Sequence, residues 1–191
     1  MTQAMSRADA TKARILQAAT DEFATYGIAG ARVDRIAKTA RANKNLIYVY
    51  FGSKDQLFDA VIDAHVTHGL NSVPFTPDNL PEYAGQLFDY CRRHPDVIRL
   101  ATWHRLERGN RDLVGAAPAR DAKLDALAAA QQKDGIGSEF SPATLLTLVL
   151  SMALAWNPTN VASVPACSSE TATETTDDHR RAIVEAVRRL L

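Results

Sequence analysis

Residues 33–51, VDRIAKTARANKNLIYVYF, constrain this chain more than any other stretch. Val33, Ile36, Ala37 and Ala40 recur at the i, i+3, i+4, i+7 spacing that places them on one buried helix face. Arg41-Ala42-Asn43 follows as a turn, and Asn43 is a good N-cap for a second helix. On that helix Ile47 and Phe51 can pack inward, which leaves Lys44, Asn45, Tyr48 and Val49 available to a partner. Two short helices around a three-residue turn, with basic and aromatic side chains on the second, have the layout of a DNA-reading helix-turn-helix.

Charge supports a nucleic-acid partner once its distribution is considered. Formal net charge is zero, which argues against a non-specific polyanion binder, yet residues 1–55 hold nine Lys/Arg against five Asp/Glu. That segment carries an excess of four positive charges, and the remainder balances it. A positive head on a negative body sets one face against phosphates and keeps the other away.

With 191 residues, 46% apolar and 23% charged, the chain can bury an ordinary core in one domain or two small ones. Cys91 and Cys167 are its two cysteines, too few for a disulfide framework or a structural zinc site, and they suit a reducing cytoplasm. No basic-then-apolar leader opens the chain. The longest apolar run, near 143–156, is interrupted by Thr144, Thr147 and Ser151, so a cytoplasmic location away from membranes is expected.

The organisation reads as all-α. A first helix is expected from about Ala8 to Tyr26, with Ile15, Ala18, Ala19, Glu22 and Phe23 in helical period and Gly27 as the stop. With the two short helices it makes a three-helix head. Ser53 caps a fourth helix running through Leu57, Phe58, Val61, Ile62 and Ala64 toward His68, a lever between head and body. Pro74, Pro77 and Pro81 turn a corner, after which helices are expected over 81–94, 95–108, 116–133, 142–157 and 177–190. Residues 161–176 are small, polar and aperiodic, and read as a mobile loop. The domain reading is a helix-turn-helix head over 1–53 and a ligand-binding and dimerisation body over 54–191.

As a set, Phe23 to Gly27, Ile36-Ala37, Ile47-Tyr48-Val49-Tyr50-Phe51, Ser53-Lys54 and Leu57-Phe58 resemble the head pattern of the TetR/AcrR family of transcriptional regulators, over residues 9–60. The resemblance implies an all-helical homodimer of about nine helices. It further implies a ligand-responsive DNA-binding regulator, a repressor held on a palindromic operator and released by a small, largely apolar effector. It places Lys44, Asn45, Tyr48 and Val49 in the major groove, where Lys and Asn donate to base edges and Val meets a thymine methyl. It gives Tyr48, Tyr50 and Lys54 to phosphates, Lys54 at the start of the fourth helix. The chain departs from the pattern at Arg32, where a phosphate-binding Thr is common, at Leu46, and in the Arg41-Ala42-Asn43 turn. Arg32 compensates for the missing hydroxyls as a phosphate contact, and no relative's operator transfers unchanged.

For the body, linkage requires that effector prefer the DNA-incompetent spacing of the two heads. The candidate lining is Phe88, Cys91, Leu100, Trp103, His104, Met152 and Trp156, with Arg99 and Asn157 adding polarity. The resemblance places dimerisation on the helices near 142–157 and 177–190. Leu145, Leu146, Leu148, Val149, Met152 and Leu154 are apolar nearly all round, and Ile183, Val184, Val187, Leu190 and Leu191 form a stripe.

An enzyme is the competing class. His65 and His68 with Asp59 or Asp63, or Cys91 with His94, offer partial metal or redox sets. A catalytic metal needs a third ligand and partners that orient the ligands, and neither can be assembled from the spacing. Gly-rich phosphate loops, nucleophile elbows and paired carboxylates are lacking. The expectation is therefore no catalysis, no cofactor and no metal. A helical module whose head binds protein is the third class, separated from DNA reading by its weak salt dependence.

Overall fold

The computed structural model describes residues 6–109, 116–161 and 175–191. Ser6 starts α1 (Arg7–Gly30) by accepting the Asp9 N–H at 3.1 Å, and Ile15, Ala18, Ala19 and Phe23 form the buried stripe. Gly27 breaks this helix as expected. Its φ of 66° and ψ of −175° lie in a region essentially reserved for glycine, and a further helical turn follows before Ala31.

Val33, Ile36 and Ala37 line the buried face of α2 (Val33–Thr39), with Ala40 buried just beyond it. The connecting turn includes Arg41 at a φ of 50°. Asn43 then caps α3 (Lys44–Phe51) by accepting the Asn45 N–H at 2.8 Å. Ile47 is buried, while Phe51 is half-buried beneath the Lys12 ammonium, 5.7 Å from its ring centroid.

Ser53 caps α4 (Lys54–Val61) through the Gln56 N–H, and Leu57, Phe58 and Val61 are buried along it. Phe58 meets Phe23 edge to face at 5.0 Å, fastening α4 to α1. The helix does not run on regularly. Residues Ile62–Thr67 are π-helical, the His68 N–H reaching back five residues to the Asp63 carbonyl, before a short α5 (His68–Asn71). Continuous helical period in the sequence concealed this change of winding.

After a 3₁₀ turn (Pro77–Asn79), α6 (Leu80–Arg93), α7 (Pro95–Arg108), α8 (Ala116–Asp134), α9 (Pro142–Ala153) and α10 (Thr176–Leu190) complete the described elements. Helix α9 stops at Ala153 where a helix to 157 was expected. Leu154 and the residues after it turn, the Leu154 and Ala155 N–H groups reaching the Leu150 and Met152 carbonyls. The expected loop over 161–176 falls largely on 162–174, outside the described residues.

Among the described residues no strand occurs, no helix is long and apolar enough to cross a membrane, and contacts divide the chain into two compact units. Met1–Gly69 with Asp96–Ala116 forms the first, and Leu70–Pro95 with Ala117–Leu191 the second. In the second unit α6 packs on α9 and α10. Arg180 of α10 pairs there with Glu82 at 2.8 Å and Asp89 at 2.9 Å, both on α6.

Candidate functional site

The head is held together by two carboxylates and an ammonium, each aimed at backbone. Glu22, only 9% exposed, accepts the Arg32 N–H at 2.8 Å and the Arg35 Nε–H at 2.8 Å. It thereby secures the entry to α2. Arg35 also donates to the Gly30 carbonyl at 2.9 Å and lies over the Tyr26 ring at 4.3 Å. Glu107 at the end of α7 accepts from the Ile28 and Ala29 N–H groups at 2.8 and 3.0 Å, just after the Gly27 break. Lys54 Nζ donates to the Ile28 carbonyl at 2.7 Å and the Ala31 carbonyl at 3.3 Å. Its charge offsets carbonyls left open where α1 ends.

This scaffold presents one face of α3. Lys44, Asn45, Tyr48 and Val49 are all exposed, Tyr48 at 44% and Val49 at 74%. Tyr48 and Val49 follow Lys44 and Asn45 by one turn, so an aromatic and an apolar side chain stand exposed beside a cation and an amide. Lys44 pairs with Asp34 at 2.8 Å, and this hydrogen bond holds its ammonium above its ordinary pKa. The group is a fixed cation. Arg32 is exposed at the start of α2, and Tyr50 is half-buried.

Lys54 requires a correction. As an expected phosphate anchor it should project outward, yet its ammonium is turned inward onto the two carbonyls. It acts as a brace between the start of α4 and the α1–α2 link. Glu22 and Glu107 were not singled out as site-shaping residues, because their partners lie ten and about eighty residues away in sequence.

The second unit contains a cavity of about 290 Å³. Phe88, Cys91, Pro95, Ala153, Trp156 and Pro158 give it apolar walls, and Arg92, Asn157, Thr176 and His179 supply the polar groups. Burial pushes the Cys91 thiol up to about 11, so it is a neutral wall group rather than a nucleophile. Of the seven candidate ligand residues, the cavity brings together Phe88, Cys91 and Trp156. The other four lie elsewhere. Leu100, Trp103 and His104 belong to α7 in the first unit, where His104 stacks on Phe58 at 6.3 Å and Trp103 lies against Gly27. Met152 is half-buried on α9 and does not line the cavity. Their periodicity signalled burial correctly for Leu100 and His104 but not which unit they would enter. Asn157 does reach the cavity. No cluster of three or more His, Cys, Asp or Glu able to hold a metal occurs among the described residues.

Comparison with known proteins decides the family. The pattern described as bacterial regulatory proteins of the tetR family matches residues 15–61, and that of the tetracyclin repressor-like C-terminal domain matches residues 79–189. This chain belongs to the TetR family. The HTH-type transcriptional repressor SCO4008 of Streptomyces coelicolor is 43% identical over 148 residues, 76% of this chain and 77% of that protein. The repressor NicS of Pseudomonas putida is 32% identical over 111 residues, 54% of this chain and 52% of that protein. A solved structure of the transcriptional regulator SCO4942 from Streptomyces coelicolor superposes with a TM-score of 0.81 at 38% identity, covering 94% of this chain and 97% of the other. A TetR-like regulator from Rhodococcus sp. RHA1, 19% identical with a TM-score of 0.63 over 97% of each chain, shares the fold. The chain is thus a DNA-binding, helix-turn-helix transcriptional regulator of the TetR family.

Proposed function

We propose that the protein is a cytoplasmic homodimeric repressor that reads an inverted-repeat operator with α3 and leaves it when a small effector occupies the body. The observation that carries the reading is the exposed Lys44, Asn45, Tyr48 and Val49 face on a head braced by Glu22 and Lys54. SCO4008 and NicS are both described as repressors, which favours repression over activation.

The roles follow from side-chain chemistry. Asn45 donates to and accepts from an adenine edge, Val49 packs on a thymine methyl, and Lys44 donates to guanine. Lys44 must exchange Asp34 for DNA, at small cost because both partners are well exposed. Tyr48, Tyr50 and Arg32 hold phosphates and fix the register. Residues 1–53 are the reading head and 54–191 the responsive body. Dimerisation uses the outer faces of α9 and α10. Leu145, Leu146 and Val149 are buried within the chain, whereas Leu148, Leu150 and Met152 are only half-buried and suit a twin helix. Two heads at a fixed spacing demand two half-sites, and effector binding weakens the complex only as far as it prefers another spacing.

Fluorescence anisotropy with a labelled operator duplex tests these roles. Asn45→Ala or Val49→Ala should relax preference at one base pair per half-site, costing about 1–3 kcal/mol against the best sequence. Lys44→Ala should instead flatten the salt dependence by about one unit per subunit if its contact is to phosphate, or relax one guanine position if it is to a base. Unaltered base preference in all three variants would remove α3 from the reading surface.

A further inference from the structure

We propose that the cavity between α6, α9 and α10 takes a planar aromatic carboxylate, its ring against Trp156 and its anionic end at Arg92. This rests on the reading of the body as an effector module and narrows it to a ligand class.

The flat wall comes first. Trp156 and His179 are stacked, ring centroids 4.4 Å apart and planes 14° from parallel, yet Trp156 remains 38% exposed. Buried aromatic surface of this size is a main source of cohesion. A stacked indole left accessible beside an apolar recess offers another planar group the same favourable contact. Phe88, Cys91 and Ala153, all buried, close the recess behind it, and Pro95 and Pro158 lend it stiff edges. A volume of about 290 Å³ lies at the small end of ligand cavities, room for one or two fused rings and not for a long acyl chain.

The charge at the mouth is one-sided. Among the described residues Arg92 supplies the charge that lines the cavity, and no carboxylate lines it. Arg92 has no ion-pair partner among the described residues, unlike Arg180 on the neighbouring α10, which holds both Glu82 and Asp89. The Asn157 side-chain oxygen is already taken by the Thr159 N–H at 3.0 Å and the Thr159 hydroxyl at 2.8 Å. What Asn157 offers a ligand is therefore its NH2, a donor. An anion meets the guanidinium and an amide donor here, while a cation meets only repulsion. The alternative role for Arg92 is a last-turn cation that complements the α6 dipole, and this would leave it indifferent to ligand charge.

Calorimetric titration of the full chain with 2-naphthoate, its uncharged isostere 2-naphthamide, and the cation 2-naphthylmethylamine separates these roles. Naphthoate should bind about tenfold more tightly than the amide, and the amine least. Arg92→Gln should erase the naphthoate advantage while leaving the amide unchanged. Trp156→Ala, with its circular dichroism intact, should weaken naphthoate and amide alike by about tenfold or more. Equal affinity for all three probes, no saturable binding, or unaltered naphthoate binding in both variants would overturn the proposal. Operator binding measured on the same samples without probe keeps the two readings apart. If it persists while naphthoate fails to bind, the ligand class falls and the DNA reader stands. If it is lost in the unmodified protein, the regulator reading itself falls.

Discussion

Replacing Glu22 tests whether the reading head depends on a buried carboxylate. In Glu22→Ala the Arg32 N–H and the Arg35 guanidinium both lose their acceptor. Hydrogen bonds to a charged group contribute about 1.5–3 kcal/mol each. Breaking a fully buried ion pair costs about 3–5 kcal/mol, but here the Arg35 side chain is 40% exposed. It also retains the Gly30 carbonyl and the Tyr26 ring, so water and these contacts recover part of the loss. The net expectation is about 2–3 kcal/mol for Glu22→Ala, a factor of roughly 30–150 in the folding constant. Glu22→Gln keeps an acceptor for the Arg32 N–H but loses the charge, and should cost about half as much. Hydrogen exchange at the α1–α3 amides is the assay of choice, because it reads the head separately from the second unit. A double-mutant cycle with Arg35→Ala should return a coupling of about 1 kcal/mol. A loss below about 0.5 kcal/mol in Glu22→Ala, or strict additivity with Arg35→Ala, would refute the reasoning.

Three further outcomes are expected. Gly27→Ala should destabilise the head by about 1–3 kcal/mol in urea unfolding, because φ is 66° at ψ −175° and a new Cβ would lie 2.6 Å from Glu107 Oε1. A neutral result would mean that the break relaxes easily. Lys54→Met should lower thermal stability while leaving the salt slope of operator binding near that of the unmodified protein, since its ammonium faces the Ile28 and Ala31 carbonyls. A slope reduced by about one unit per subunit would return Lys54 to the phosphate contacts. Hydrogen bonds from Thr175 hold the Asp178 carboxyl down to about 2, against 3.8 for the free group. Its contribution to α10 is thus fully present above about pH 4 and disappears as pH falls through about 2. Asp178→Asn should remove that part of the acid sensitivity from an unfolding profile measured between pH 4 and pH 2, and an unchanged profile would contradict the assignment.

Residues that act through local backbone chemistry were readable from the sequence. Asn43 and Ser53 cap α3 and α4 as their side chains dictate, and Gly27 ends the regular part of α1. Helical periodicity placed α6, α7, α8 and α10 to within about a residue at each end. It overran α9 at Leu154, because Leu, Ala and Trp continue a helical pattern whether or not the backbone does. It also missed the π-helical winding of Ile62–Thr67, since one extra residue per turn leaves no compositional mark.

The site was legible in the same uneven way. Lys44, Asn45, Tyr48 and Val49 are displayed as expected because exposure on an eight-residue helix follows directly from which residues must be buried. Lys54 and the α7 residues Leu100, Trp103 and His104 were harder, because the destination of a long or apolar side chain depends on what the chain brings beside it. The roles of Glu22 and Glu107 depend wholly on such tertiary proximity.

The central claim, that α3 of a dimer reads DNA, is tested most directly by selecting duplexes from a random pool with the purified protein and sequencing those retained. Enrichment of an inverted repeat, lost from the Asn45→Ala and Val49→Ala proteins at matching positions in both half-sites, is the expected result. No enrichment at low salt would contradict it.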